Sequence, residues 1–119
     1  MTSSPFTVAL AQIDAVVGDI AANAARAGEL VDQARGAGAD LVVFPELNLT
    51  GYAISECVGD LAMPATAPAL AELARSARET DMVLGFVEAG SDGVYNSAAY
   101  CSDGALTHVH RKVLSLIHI

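Results

Sequence analysis

Gly36-Ala37-Gly38-Ala39-Asp40-Leu41-Val42-Val43-Phe44-Pro45-Glu46 is the stretch from which the rest of the chain is organised. Leu41 to Phe44 is a short, fully apolar run rich in strand formers. Pro45 ends the run, because proline has no amide hydrogen to give to a ladder. Gly36 and Gly38 close whatever precedes it, since glycine takes the left-handed C-cap conformation without steric cost. What precedes is helical in pattern. Ile20, Ala24, Ala27, Val31 and Ala34 fall on one stripe, with Arg26, Glu29 and Gln33 largely outside it. Asp19 stands where a carboxylate can accept from the free amides of a first helical turn. Further back, Phe6 to Ile13 reads as a strand apolar on both faces, a pattern that usually means cover on both. Strand, helix, strand in that order predicts a parallel pair with a crossover helix, and so the α/β class.

Downstream of Glu46, Leu47 to Pro64 has no clear period and reads as a long loop with one helical turn. Long loops in compact domains are often functional. Leu70, Leu73, Ala74 and Ala77 restore helical spacing, with Pro68 suited to the first turn. Met82 to Val87 is another apolar strand. Ser91-Asp92-Gly93 and Ser102-Asp103-Gly104 are turn signals. They set off Val94 to Cys101 and Ala105 to Arg111 as antiparallel strands joined by tight turns.

The 119 residues fit one domain on a prior of about 150 residues per domain. With 53% hydrophobic and 17% charged residues, the chain has enough apolar surface for a core, and disorder is excluded as a description of the whole. Six Lys and Arg against fourteen Asp and Glu give a net charge of −8. That balance argues against a nucleic-acid backbone or an anionic membrane surface as partner. There is no basic n-region ahead of an apolar segment and no stretch long enough to span a bilayer. Two cysteines without motif spacing suit a reducing compartment. The expectation is a soluble, cytoplasmic protein.

Glu46 lies just past the end of an apolar strand, where ligands collect in open α/β sheets. A carboxylate backed there by apolar side chains is expected to be partly desolvated, which suits a general base. Taken alone, a solvated loop glutamate is the plainer reading. Lys112 ends the basic cluster His110-Arg111-Lys112, and a lysine fixed at a strand end can stabilise an oxyanion. Taken alone, a solvated basic tip is again plainer. His108 and His110 share a strand face, and with His118 or a carboxylate they would make a metal site. No third ligand stands at motif spacing, so no metal is assigned. Cys57 sits beside Glu56 and Asp60, where negative charge disfavours a thiolate, and Cys101 reads as a small buried hydrophobe. Gly36-Ala37-Gly38 precedes a strand, whereas a dinucleotide cradle follows one. No cofactor is expected.

Taken together, the blocks resemble the carbon–nitrogen hydrolase (nitrilase and amidase) family. The resemblance begins at Val8-Ala9-Leu10-Ala11-Gln12 and runs through Val17-Gly18-Asp19-Ile20 with Asn23. It is strongest at Gly38 to Leu47, followed by Leu49-Thr50-Gly51-Tyr52. It resumes at Val83 to Glu88, then at Tyr95-Asn96-Ser97-Ala98, Gly104 and His110-Arg111-Lys112-Val113. The resemblance implies a four-layer α-β-β-α sandwich whose members pair sheet on sheet or helix on helix into homo-oligomers. It also implies a Glu, Lys and Cys catalytic set, with Glu46 in the family's Pro-Glu pair and Lys112 in its Tyr/His-Arg-Lys segment. In that chemistry a thiol attacks a small amide or nitrile. The glutamate takes the proton, the ammonium offsets charge on the tetrahedral intermediate, ammonia leaves, and water cleaves the thioester.

The departures matter as much. The family's nucleophilic Cys follows the Lys, and both Cys57 and Cys101 precede Lys112. The further acidic residue found in many members after the Lys is missing, as is the usual Leu-Pro. Residues 1–113 are therefore expected to be the N-terminal part of such a domain, inactive alone. The tail at 114–119 is unlike the family and reads as a frameshift, or as vector or adapter sequence. Half a sandwich should leave open strand edges and an uncovered sheet face. A narrower alternative is the glutaminase domain of a glutamine-dependent NAD synthetase. Such domains share the early Val-Gly-Asp and Leu-Thr-Gly-Tyr segments, but Ala53-Ile54-Ser55-Glu56 departs from their usual continuation. A non-catalytic α/β binding or assembly module is the competing class.

Overall fold

A computed structural model describes residues 5–52, 54 and 57–112. The Asp19 carboxylate accepts from the Ala22 amide at 3.0 Å and starts α1 (Ile20–Gly36). The apolar stripe then turns inward, with Asn23, Ala27 and Val31 buried. The helix ends one residue later than its glycines suggested. Gly36 is still helical, and Gly38, at φ +86°, makes the left-handed turn. The Leu41–Val43 strand (β2) follows and pairs in parallel with β1 (Val8–Leu10). The loop after β2 contains the one short helix expected of it, α2 (Val58–Leu61), and α3 (Pro68–Ala74) opens on its proline. Then come β3 (Asp81–Gly90), β4 (Gly93–Ser102) and β5 (Ala105–Arg111). The first of these is longer than its apolar run, because β4 pairs with it all the way to Gly90. At the β4–β5 turn Asp103 and Gly104 take φ of +53° and +77°. Two left-handed residues in a two-residue loop match the twist of the flanking strands.

The five strands form one sheet in chain order, parallel from β1 to β3 and antiparallel from β3 to β5. Alternation along the strands separates two faces. Val42, Met82, Leu84, Phe86, Ala99 and Cys101 meet Ala27 and Val31 of α1 and Leu70, Leu73 and Ala74 of α3 in one core. Leu41, Val43, Val83, Gly85, Ala98 and Tyr100 point the other way. Over β1, β2 and the start of β3 no helix among the described residues covers that second face; farther along β3, Leu47, Ile54 and the α2 residues Val58 and Leu61 pack on the fully buried Val87. Phe6 to Ile13 is accordingly not covered on both sides, and Val8 and Leu10 are 46% and 75% exposed. The strand is also shorter than expected, because Pro45 limits the length of β2 against which it can pair, although Ala11 still donates to the Val43 carbonyl at 2.9 Å. One helical layer on one sheet is half of the four-layer sandwich. The tail at 114–119 lies outside the described residues.

Candidate functional site

The Glu46 turn is built against the middle strand. Phe44 donates to the Val83 carbonyl at 2.9 Å, and Leu49 donates to the Gly85 carbonyl at 3.1 Å. Between these two bonds the chain leaves β3 and returns. The gap is closed by a side chain: Asn48 Oδ1 accepts from the Gly85 amide at 2.7 Å, where a neighbouring strand would have offered a carbonyl. The excursion carries Pro45, Glu46 and Leu47 out over Gly85. It lies so close that a Cβ on Gly85 would stand 2.4 Å from the Leu47 nitrogen. Leu47 is held at φ +54° and is fully buried. A left-handed leucine is strained by about 1–3 kcal/mol and persists where its surroundings over-determine it. Asn48 Nδ2 is buried without a hydrogen-bond partner among the described residues. A second asparagine ties the adjoining loops. Asn23 donates to the Val16 and Leu49 carbonyls at 2.8 and 2.9 Å and accepts from the Val16 amide.

Lys112 arrives from the far edge of the sheet. Its amide donates to the Asn96 carbonyl at 2.9 Å, which extends β4–β5 pairing by one residue. Its Nζ stands 3.1 Å from Glu46 Oε2, joining residues 66 apart in sequence. The pair rims a cleft of about 380 Å3 on the uncovered face, floored by Val83, Gly85 and Ala98 and flanked by Asn96 and His110. A second cleft of about 310 Å3 lies on the other side of Glu46, toward Asp14, Val17 and Tyr52. The expected desolvation of Glu46 is incomplete, because no layer among the described residues covers this part of the face. The Glu46 and Lys112 side chains remain 40% and 38% exposed. A pair this open contributes about 0–1 kcal/mol to stability. A carboxylate can move a proton, and an ammonium beside it can offset negative charge on a bound oxygen.

The remaining candidates lie elsewhere. Cys101 is fully buried in the helix-covered core, where burial pushes its thiol up to about 11. Cys57 packs under the long loop against a small cluster formed by Leu47, Ile54 and Val87. Neither lines a cleft beside Glu46. His108 and His110 do share a face, opposite Tyr100 and Ala98. Among the described residues no three of His, Cys, Asp and Glu are grouped so as to hold a metal. His118 lies outside the described residues.

The site's supports were missed in the sequence. Asn48 hides inside the loop as one polar residue among several. Glu88, only 7% exposed, accepts from Ser97 Oγ and from both Nε and Nη2 of Arg111. The Arg111 guanidinium holds its carboxyl below the usual range near 4.5 against the opposing effect of burial. The available signal was an acid on the end of the apolar run Met82–Val87, with an arginine next to Lys112.

Comparison with known proteins gives the same family from several directions. The carbon-nitrogen hydrolase family model matches residues 7–116. The glutamine-dependent NAD(+) synthetase of Acinetobacter baylyi is 33% identical over 108 residues, which cover 90% of this chain and 20% of that protein. The structure of the glutamine-dependent NAD+ synthetase of Acinetobacter baumannii superimposes with a TM-score of 0.75 at 34% identity, over 90% of this chain and 20% of that one. An amidase from Nesterenkonia sp. superimposes with a TM-score of 0.77 at 23% identity, over 96% of this chain and 45% of that one. The chain thus spans about a fifth of the length of the curated relatives it matches.

Proposed function

Because the chain belongs to the carbon–nitrogen hydrolase family, we propose that it supplies the Glu and Lys of a glutaminase site that feeds ammonia to NAD synthesis in the cytoplasm. The observation that carries the reading is the 3.1 Å approach of Lys112 Nζ to Glu46 Oε2 at the floor-lined cleft. The choice of glutamine over another small amide or a nitrile rests on relatives one-third identical over nine-tenths of the chain. It reverses the ranking from residues alone, which leaned on Ala53-Ile54-Ser55-Glu56. Three of those four positions lie outside the described residues, and a short loop difference weighs less than similarity along the whole chain.

Glu46 accepts the proton of an attacking thiol and passes it to departing ammonia, then activates the water that cleaves the thioester. Lys112 donates to the oxygen of the tetrahedral intermediate. The thiol comes from sequence outside these 119 residues on this reading, since neither Cys57 nor Cys101 faces the cleft. The family resemblance adds a homo-oligomeric assembly.

The test is ammonia release from glutamine by the full-length protein that carries this chain, beside simple amides and nitriles. Glu46→Gln and Lys112→Met are each expected to lower kcat by about 10²–10³-fold. A preference for a nitrile or a short aliphatic amide would return the assignment to a general amidase or nitrilase. No hydrolysis of any of them by folded protein would leave a binding or assembly module.

A further inference from the structure

We propose that Glu88, acting through Arg111, is a positioning residue that fixes the Lys112 ammonium over the cleft. The proposal rests on the role given to Lys112 above. Lys112 follows the last residue of β5, and among the described residues β5 has a neighbour on one side only. Such an end frays unless something holds it. Successive residues of a strand point to opposite faces. Arg111, paired in register with Ser97, turns to the helix-covered side, and Lys112 reaches Glu46 on the open side. Anchoring one therefore aims the other.

The anchor is built in depth. Arg111 Nε and Nη2 meet the two oxygens of Glu88 at 2.9 and 3.2 Å, a two-point grip that fixes direction as well as distance. Ser97 Oγ donates to the same carboxylate at 2.9 Å. The guanidinium also lies over the Tyr95 ring, 4.0 Å from its centre. Gly90 leaves the necessary room, since a Cβ there would stand 2.8 Å from Arg111 Nη2. The Glu88 side chain is only 9% exposed while that of Arg111 keeps 44%, and burying a charge against a half-open partner returns about as much stability as it costs. Its use at this position fits a demand for geometry.

The experiment reads the geometry directly. In the full-length protein, a carbodiimide condenses a carboxylate with a touching amine, itself taking up the elements of water to leave as a urea, and peptide mass mapping counts the Glu46–Lys112 amide. The native protein is expected to form it. Glu88→Gln and Arg111→Lys are expected to lower its yield roughly tenfold, and to lower kcat for amide hydrolysis with little change in KM. Thr80→Val removes a buried hydrogen bond to the Ala39 carbonyl far from Lys112, and it should lower thermal stability with the cross-link unchanged. A native yield in folded Arg111→Lys protein overturns the proposal, and this variant decides the matter if Glu88→Gln does not fold. If the native protein forms no cross-link, the Glu46–Lys112 pairing fails, and the positioning role fails with it. If the cross-link forms and responds as expected while no amide is hydrolysed, the positioning role stands and the hydrolase reading fails.

Discussion

The two faces of the sheet obey different rules. On the helix-covered face, Met82, Phe86, Ala99 and Cys101 are fully buried, and α1 and α3 supply the matching stripes. On the other face, β1 leaves large apolar side chains exposed, and Glu46 and Lys112 meet in water-accessible space. One sequence alternates between these environments over most of the sheet, and only from Leu84 to Glu88 in β3 are both faces buried, where the Glu46 turn and α2 lie over the second one. The covered face holds the strands in place, and the open face uses that rigidity to bring together groups from β2 and β5. The Glu88–Arg111 grip links the two, because it sits on the covered side of the sheet and governs a side chain on the other.

The sharpest way to break the contrast is Phe86→Ala on the covered face. Deleting a fully buried aromatic is expected to cost about 3–5 kcal/mol, measured as a fall in the denaturant midpoint. A loss below about 1 kcal/mol would show that the helices do not seal that face.

Cys101 gives the next largest effect. With its thiol raised from 9.0 to about 11 by burial, its thiolate fraction at pH 8 is about a hundredfold below that of a free cysteine. Alkylation followed by mass mapping should modify Cys57 well before Cys101. The sign with pH follows, because the folded state holds the thiol proton more tightly than the unfolded chain does. The thiol's contribution to stability is in full below pH 9.0 and is lost as pH rises toward 11. Equal labelling of both thiols in native protein would contradict the burial.

The smallest effect belongs to the open face. Leu10→Ser, at a side chain 75% exposed, should change stability by no more than about 0.5 kcal/mol while raising the concentration at which the isolated chain stays dispersed, read by light scattering. A large loss of stability would mean that something covers β1.

Much of this architecture was legible because local signals agreed. Asp19, the α1 stripe, Pro45, Pro68 and the two Asp-Gly turns each carry a rule that works without distant partners. The cover over β1 was not legible, since an apolar pattern states what a strand tolerates and not whether a layer is present to meet it. Glu46 and Lys112 were found through the family's pattern, and each alone looked like a solvated side chain. Their supports were harder to read. Asn48 replaces a backbone acceptor, and Glu88 is satisfied by residues on two other strands, so neither has a local signature.

The separation of 66 positions from Glu46 to Lys112 also bears on the order in which the molecule assembles. The β3–β4–β5 meander is joined by two-residue turns and closes through short loops, so it can form early. β2 must wait for a long connection to bring it beside β3, and only then does the Glu46 turn find Gly85. The cleft is therefore among the last features to form. A chain trapped before that step would carry most of its secondary structure and none of its paired chemistry.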